Sequence, residues 1–364
     1  MTRGFQSGLL AVTLGAALAA PGGALAASPA EDDDVLPIAI QVPFGFLVMH
    51  VPPFPSGFPD PGAWDVQLGI TTTNNFVFSQ EIGLALGART SRQPFTAADF
   101  AAVAAANPGR DLYYFDGEVT ELALTVSGSP APGFTVGGQV PLVHFGGGFL
   151  DPTIEAFHDV LHLTQDYRGA VTQNERALGV LIGGREEFVS GNEDTGVADP
   201  VLFMRWGPHR DPRAWSFAME AGVKVAIAST SRLLSTGAPD FGAAVAVGKR
   251  GRAWTFAFQG GFVLPGNGAF LDGLPLTPVA AAAASAGYRF RTTSLWLQAV
   301  WEQSPLRNKT SAPLGNDEKD LTLGVRFPLA GSARGYAALT ENVIEFDNSS
   351  DIAIHFGVCW TLGR

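Results

Sequence analysis

The stretch Trp215-Ser216-Phe217-Ala218-Met219-Glu220-Ala221-Gly222-Val223-Lys224-Val225-Ala226-Ile227 decides the fold. Its odd positions are all apolar, and its even positions are Ser, Ala, Glu, Gly, Lys and Ala. Successive side chains of a strand point to opposite faces, so this is a strand with one greasy face and one small or polar face. The alternation returns at Ile352, Ile354, Phe356, Val358, Trp360 and Leu362, set against Ala353, His355, Gly357, Cys359 and Thr361. It starts again at Trp64, Leu295 and Leu321. In a β-sandwich the second face would be solvent surface, rich in Lys and Glu. Here that face is mostly Gly, Ala, Ser and Thr, which suits the crowded inside of a closed barrel. The apolar face, with Trp and Phe near strand ends, suits lipid. Closure also leaves no unpaired strand edge where water is absent. The reading is an all-β chain, a transmembrane up-and-down antiparallel β-barrel.

Composition agrees. Only 16% of the 364 residues are charged, where about 25% is usual in soluble domains. Lys and Arg number 23 against 34 Asp and Glu, a formal charge of −11. That balance argues against nucleic acid as a partner, which calls for clustered cations. Met1-Thr2-Arg3 followed by the apolar run Gly8 to Ala20 and by Ala24-Leu25-Ala26 reads as a signal peptide, residues 1–26, cleaved near Ala26. The run is too short for a spanning helix. The lone Cys359 excludes an intramolecular disulfide and reads as a small packing residue in a strand.

Twelve segments have membrane length: 64–73, 114–127, 133–145, 196–207, 213–227, 239–248, 252–264, 277–289, 293–303, 318–328, 334–345 and 350–362. An even count puts both termini on the periplasmic side. Short connections such as Lys249 to Gly251 and Arg291-Thr292 alternate with long ones: Asn74 to Tyr113, Gly146 to Thr195, Ser229 to Ala238, Pro265 to Leu276 and Ser304 to Asp317. The barrel is thus expected over 64–362. The acidic, proline-bearing segment 27–63 is expected in the periplasm or the lumen. Ala177 to Val189, interrupted by Gly183-Gly184, reads as a short hairpin outside the bilayer.

Several motifs carry a resemblance. They are Trp64 onward with Asn74-Asn75-Phe76, then Phe115-Asp116-Gly117-Glu118, Val140-Pro141-Leu142-Val143-His144, Gly147-Gly148-Phe149-Leu150-Asp151 and Ile154-Glu155-Ala156-Phe157-His158. With these the chain resembles an uncharacterised family of bacterial outer-membrane proteins, catalogued as a domain of unknown function. The resemblance implies a barrel in the outer membrane, with membrane lipid and the barrel-assembly machinery as partners. It implies no activity. Barrels of this kind usually finish on an aromatic; here Trp360 is followed by Thr361, Leu362, Gly363 and Arg364.

One local pattern invites chemistry. Asp151-Pro152 suits a helix start, and the spacing predicts a helix over 151–163 in the long loop 146–195. Ile154, Phe157, Val160 and Leu161 share one side; Glu155, His158, Asp159 and His162 share the other. His158 and His162, at i and i+4, have the spacing of a metal-binding pair, although no third ligand is evident. The plainer reading is an amphipathic helix folded into the barrel and wetted on its polar side. The charges Glu118, Glu121, Glu220, Lys224, Arg326, Glu341 and His355 are expected to face the lumen, either bracing the wall or lining a solute path. The acidic groups Glu193-Asp194 and Asp317-Glu318 with Asp320 read as solvated loop carboxylates, with weak calcium binding as the sharper alternative. No Gly-x-Ser-x-Gly elbow or phosphate-binding loop occurs, and no motif calls for a cofactor.

Three functions fit. The first is a channel for a small-molecule solute, partly plugged by the loop helix. The second is a closed structural or surface-binding barrel. The third is a metal-dependent hydrolase using Glu155, His158, Asp159 or His162, so the leading expectation is not an enzyme.

Overall fold

A computed structural model describes residues 35–38, 45–162, 165, 167–191, 193–208, 215–270, 273–310, 313–342 and 350–363. The signal segment 1–26 and Leu163, the expected last helical residue, lie outside the described residues.

Fifteen strands form one antiparallel sheet: β1 (Trp64–Phe78), β2 (Leu112–Ala131), β3 (Phe134–Gly146), β4 (Ala177–Ile182), β5 (Arg185–Ser190), β6 (Asp194–Val197), β7 (Val201–Trp206), β8 (Trp215–Lys224), β9 (Asp240–Arg250), β10 (Trp254–Leu264), β11 (Val279–Phe290), β12 (Thr293–Glu302), β13 (Glu318–Pro328), β14 (Ala333–Glu341) and β15 (Ile352–Leu362). Among the described residues three α-helices accompany them: α1 (Gln80–Gly87), α2 (Ala97–Ala106) and α3 (Asp151–Leu161). β1 pairs with β15, and β3 pairs with both β2 and β7, which closes the ring. β6 and β7 share β3 as partner, on either side of a break at Ala198-Asp199-Pro200, and together make one barrel strand. The barrel therefore has twelve strands, with β4 and β5 as an extra hairpin. Gly183 and Gly184 turn that hairpin with φ of 57° and 80°, the left-handed geometry of a tight two-residue loop.

The register decides which face is which. Leu202, Met204, Met219, Val245, Phe258, Leu297, Leu323 and Phe356 are exposed on one face around the wall. Ala218, Ala246, Ala257, Gln298, Thr322 and His355 are buried on the other. An exposed apolar belt of this extent has no place on a soluble monomer. At the short-turn end the belt is edged by exposed Trp64, Trp206, Trp215, Trp254 and Phe290, the aromatic girdle of a membrane barrel. Among the described residues no helix is long and apolar enough to cross a membrane.

β1 and β2 run past the membrane-length segments expected for them. Beyond the bilayer they continue as a curtain, with β4 and β5 added to the edge of β2. The inner side of the curtain packs at the long-loop end through Val77, Phe115, Val143 and Leu178, against Leu47, Leu234, Phe270, Leu306 and Leu314. Its outer side carries α1 and α2, whose Ile82, Leu86 and Phe100 pack on Phe76 and Tyr114. From sequence alone this region, Asn74 to Tyr113, is a long loop. α2 begins with a capping box, in which the Thr96 side chain accepts from Asp99 N and the Asp99 side chain accepts from Thr96 N.

Two inward assignments are corrected by the register. Thr340 is buried and bonds to Thr322 and His355 inside, so Glu341, the next residue, falls on the outward parity with Leu339 and Ile352. Glu118 faces Asn74 across the β1–β2 ladder, on the parity of Leu122 and Leu124. It too lies on the outer face, where the chain around Phe149 and Leu150 covers it.

Candidate functional site

The lumen holds a stretch of the chain's own backbone. Near the short-turn end Arg326 donates to Val35 O at 2.7 Å. Halfway up, Gln298 Oε1 accepts from Leu36 N at 3.2 Å while its Nε2 donates to Leu36 O at 3.2 Å. At the long-loop end Lys224 donates to Leu47 O at 2.6 Å, and Met49 N donates to Asp240 Oδ2 at 2.8 Å. The chain then descends. Phe54 N donates to Gln259 Oε1 at 3.0 Å, and Gln259 Nε2 donates to Val51 O at 3.1 Å. Ser56 and Ser216 join hydroxyls at 2.5 Å, below which Trp64 starts β1.

The wall is shaped for this segment. A Cβ on Gly222 would come within 2.6 Å of Met49 Cε, one on Gly242 within 2.9 Å of Val51 Cγ2, and one on Gly324 within 2.5 Å of Leu36 Cδ1. Small inward residues therefore leave room for a chain instead of filling the lumen themselves. The segment carries Pro37, Pro52, Pro53, Pro55, Pro59 and Pro61, which cannot donate to a ladder. Wall side chains supply the missing hydrogen-bond partners, as buried backbone requires.

The inward charges fall into small groups. Glu220 meets Arg205 at 2.5 Å, and the Arg205 guanidinium lies 5.0 Å from the Phe54 ring centre. Lys224 sits between Asp240 at 2.8 Å and Asp199 at 3.6 Å. Arg326 lies over Trp296 as well as bonding to Val35. His355 links Thr340 at 2.8 Å to Thr71 at 3.0 Å, bracing neighbouring strands. Glu121 stands opposite Thr71 on the same inward face.

A second inward group was not expected. His50 of the lumenal segment meets Glu302 at 3.0 Å. Glu302 stands directly opposite Glu318 across the β12–β13 ladder, with Asp320 two residues further on the same face. Glu318 and Asp320 are each 3% exposed, not solvated loop groups. The strand begins at Glu318 itself, so charge at this boundary reads as loop from sequence alone. Glu193-Asp194 fares similarly: Asp194 is bound by Arg176 and Arg232.

The loop helix stands elsewhere. Asp151, its first residue, bonds to Asn74 at 3.1 Å on the outer face of the wall and to Arg168 at 2.8 Å. Arg168 also binds Asp351, donates to Asn74 Oδ1 at 2.8 Å, and lies over the Phe76 ring. Burial opposes the charge on Arg168, but Asp351, Asp151 and Asp116 outweigh it and raise its pKa above the ordinary value. On the helix's apolar side Ile154 is buried, while Phe157 and Val160 are exposed. The helix is therefore not folded into the lumen. On its polar side Glu155 forms a two-pronged pair with Arg92, and Asp159 accepts from Gln165. His158 is half-buried and the cap residue His162 is exposed. Among the described residues no group of three or more His, Cys, Asp or Glu is placed to hold a metal ion.

The sequence model of the DUF3187 family, described as proteins of unknown function, matches residues 66–361. The chain belongs to this family. No curated protein matches it. Among solved structures, this DUF3187 chain is similar to an outer membrane channel from Pseudomonas putida F1. The TM-score is 0.52 at 9% identity, covering 86% of this chain and 100% of that one. It also matches the NanC porin at a TM-score of 0.42 and 10% identity, covering 82% of this chain and 100% of that one. The outer membrane phospholipase A of Escherichia coli matches at a TM-score of 0.36 and 12% identity, covering 81% and 92%. The first of these likenesses supports the fold, that of an outer-membrane barrel.

Proposed function

We propose that this DUF3187 protein is an outer-membrane channel for a small solute, and that its own N-terminal segment, not the loop helix, occupies the conduit at rest. The short-turn end then faces the periplasm and the curtain end faces outside. One observation carries the reading: the inward wall has Gly where any side chain would collide with the inserted chain, at Gly222, Gly242 and Gly324. A barrel serving only as a structural post would fill its lumen with wall side chains. A segment held by separate hydrogen bonds to Gln298, Asp240, Gln259 and Ser216 is removable without breaking the ladder. The name of the Pseudomonas channel is in keeping with this reading. The non-enzymatic reading, and outer-membrane lipid and the assembly machinery as partners, belong to the same proposal.

Planar-bilayer conductance tests it. The full mature chain should give rare, small openings, and a variant lacking residues 35–58 should give large, lasting ones. A deletion variant that inserts as a heat-modifiable barrel and carries no current would overturn the channel.

A further inference from the structure

The loop helix α3 is turned inside out. Thr153, Ala156, Phe157 and Val160 stand at i, i+3, i+4 and i+7, which is one side of a helix, and all four are exposed. Val160 is 76% exposed, and so is 59% of Phe149 just before the helix. The side that meets the protein is the more polar one. Asp151 binds Asn74 and Arg168 there, and Glu155 binds Arg92 and Gln173. In water a surface helix packs its apolar side and wets its polar side. The reverse arrangement suits apolar surroundings.

The wall beneath α3 supplies them. The outward row Ile70, Leu122, Leu142 and Val197 belongs to the apolar belt, with Leu142 and Val197 exposed. The next outward row toward the long-loop end is Thr72, Thr120, His144 and Thr195. Thr72 bonds to Thr120 at 3.0 Å and His144 to Thr195 at 2.8 Å. Hydrocarbon thus gives way to the headgroup zone between these rows. Asn74, which holds the start of α3, follows Thr72 on the same face of β1. Its ladder partner Glu118 accepts from Phe149 N at 2.9 Å, which fixes that exposed ring at the same height. From Ile70 to Asn74 is about 13 Å along the strand, and less along the membrane normal because barrel strands tilt. A helix with its side chains is about 10 Å across. The first turn of α3 therefore stands at headgroup height, outside the wall, at the rim of the belt.

We infer that Phe149 and α3 form a lipid-docking surface: Phe149, Phe157 and Val160 enter the outer leaflet where headgroups meet acyl chains, while Asp151 and Glu155 tie the helix to the protein. None of Thr153, Ala156, Phe157 and Val160 is charged, so buried apolar area holds the helix there and not attraction to anionic lipid. The surface is continuous with the lipid-facing belt. It does not depend on whether the barrel conducts.

The test is electron paramagnetic resonance on the full mature chain in phosphatidylcholine nanodiscs. A nitroxide is placed at Phe157→Cys or Val160→Cys in a Cys359→Ala background, with a reference label at Glu186→Cys. Glu186 is exposed beside the turn of the β4–β5 hairpin, at the far end of the curtain. At positions 157 and 160 collisions with oxygen should exceed those at 186, and collisions with a water-soluble nickel chelate should be several-fold rarer. With the label at 157, Phe149→Asp together with Val160→Asp should bring the nickel collisions up toward the value at 186. The labelled outer positions are all exposed, so the first comparison decides even where the double aspartate variant fails to assemble. Nickel collisions at 157 and 160 equal to those at 186 would place the helix in water and overturn the inference. Spin–spin broadening with loss of both kinds of collision would mark a second copy of the chain on this side and overturn it too. So would unchanged collisions in a double aspartate variant that remains heat-modifiable.

Discussion

Gln298 brackets Leu36: its side-chain oxygen accepts from the Leu36 N–H and its side-chain nitrogen donates to the Leu36 carbonyl, both at 3.2 Å. One amide thus does for a lone peptide what a neighbouring strand does in a ladder. Gln298 also accepts from Ser285 at 2.9 Å, which fixes its orientation. Gln298→Leu keeps the bulk and removes both partners. It should cost the docked segment about 1–3 kcal/mol, the usual penalty for buried groups left unpaired. Hydrogen–deuterium exchange at residues 35–38 should accelerate by roughly one to two orders of magnitude, while exchange in β12 stays slow.

Gly242 faces Met49 and Val51 closely enough that any side chain must displace them. Gly242→Leu puts the clash on the segment and not on the ladder. The expected outcome is an intact, heat-modifiable barrel whose single-channel current approaches that of the variant lacking 35–58. Unchanged current in a folded variant would show that the segment does not block the conduit.

How much was legible in the sequence follows from what carries each feature. The belt was readable because lipid demands apolar residues at every second position, and Phe256, Phe258, Phe262 and Leu264 keep that period across β10. Single charges were less secure, since a slip of one residue reverses the face. Lys224 lies inside, whereas Glu341 does not, because Thr340 takes the inward place beside His355. The lumenal segment left little trace. It docks through backbone groups, and its partners Gln259 and Gln298 are scattered residues of other strands. The available signal was Gln259 and Gln298, amides among the Gly, Ala, Ser and Thr of their own strands' inward positions. For α2, the Thr96–Asp99 spacing was in plain view, but an Ala-rich run after Pro94 has no amphipathic period to extend it.

Arg168 neutralises two carboxylates on the outside of the wall. It is 4% exposed, paired with Asp151 at 2.8 Å and with Asp351. Arg168→Met keeps the packing against Phe76 but strands both acids. Breaking such a buried set by removing one partner costs about 3–5 kcal/mol. The barrel is held by its own ladder, so the loss should stay local. Limited proteolysis should open the 146–176 region in the variant under conditions where the parent is resistant, with the heat-modifiable gel shift unchanged.

Asp99 makes α2 sensitive to acid. Burial alone would raise its pKa, but the Thr96 hydroxyl and N–H donate to it and Arg89 lies 3.3 Å away, so the net shift is downward. A group whose folded pKa lies below its unfolded one contributes fully above the unfolded value. Its contribution is lost as pH falls through the folded value. Acid should therefore loosen α2 below about pH 4, the unfolded range for Asp. Asp99→Asn should remove most of that dependence. Amide exchange over Ala97–Ala106, compared between pH 6 and pH 3.5, reads the difference.

Phe258 tests the lipid-facing assignment by depth. It is exposed midway along β10, while Trp254 is exposed at the short-turn end of the same strand. Both lie on one face, four residues apart. In hydrocarbon, an arginine at mid-depth costs about 2–4 kcal/mol and one near the interface about 0–1 kcal/mol. Phe258→Arg should therefore lower the unfolding free energy in liposomes by several times as much as Trp254→Arg. In water the two substitutions would cost alike, since each exposes a charge to solvent. Reversible denaturant unfolding of both variants in one lipid composition makes the comparison, and equal losses would mean that no hydrocarbon surrounds β10.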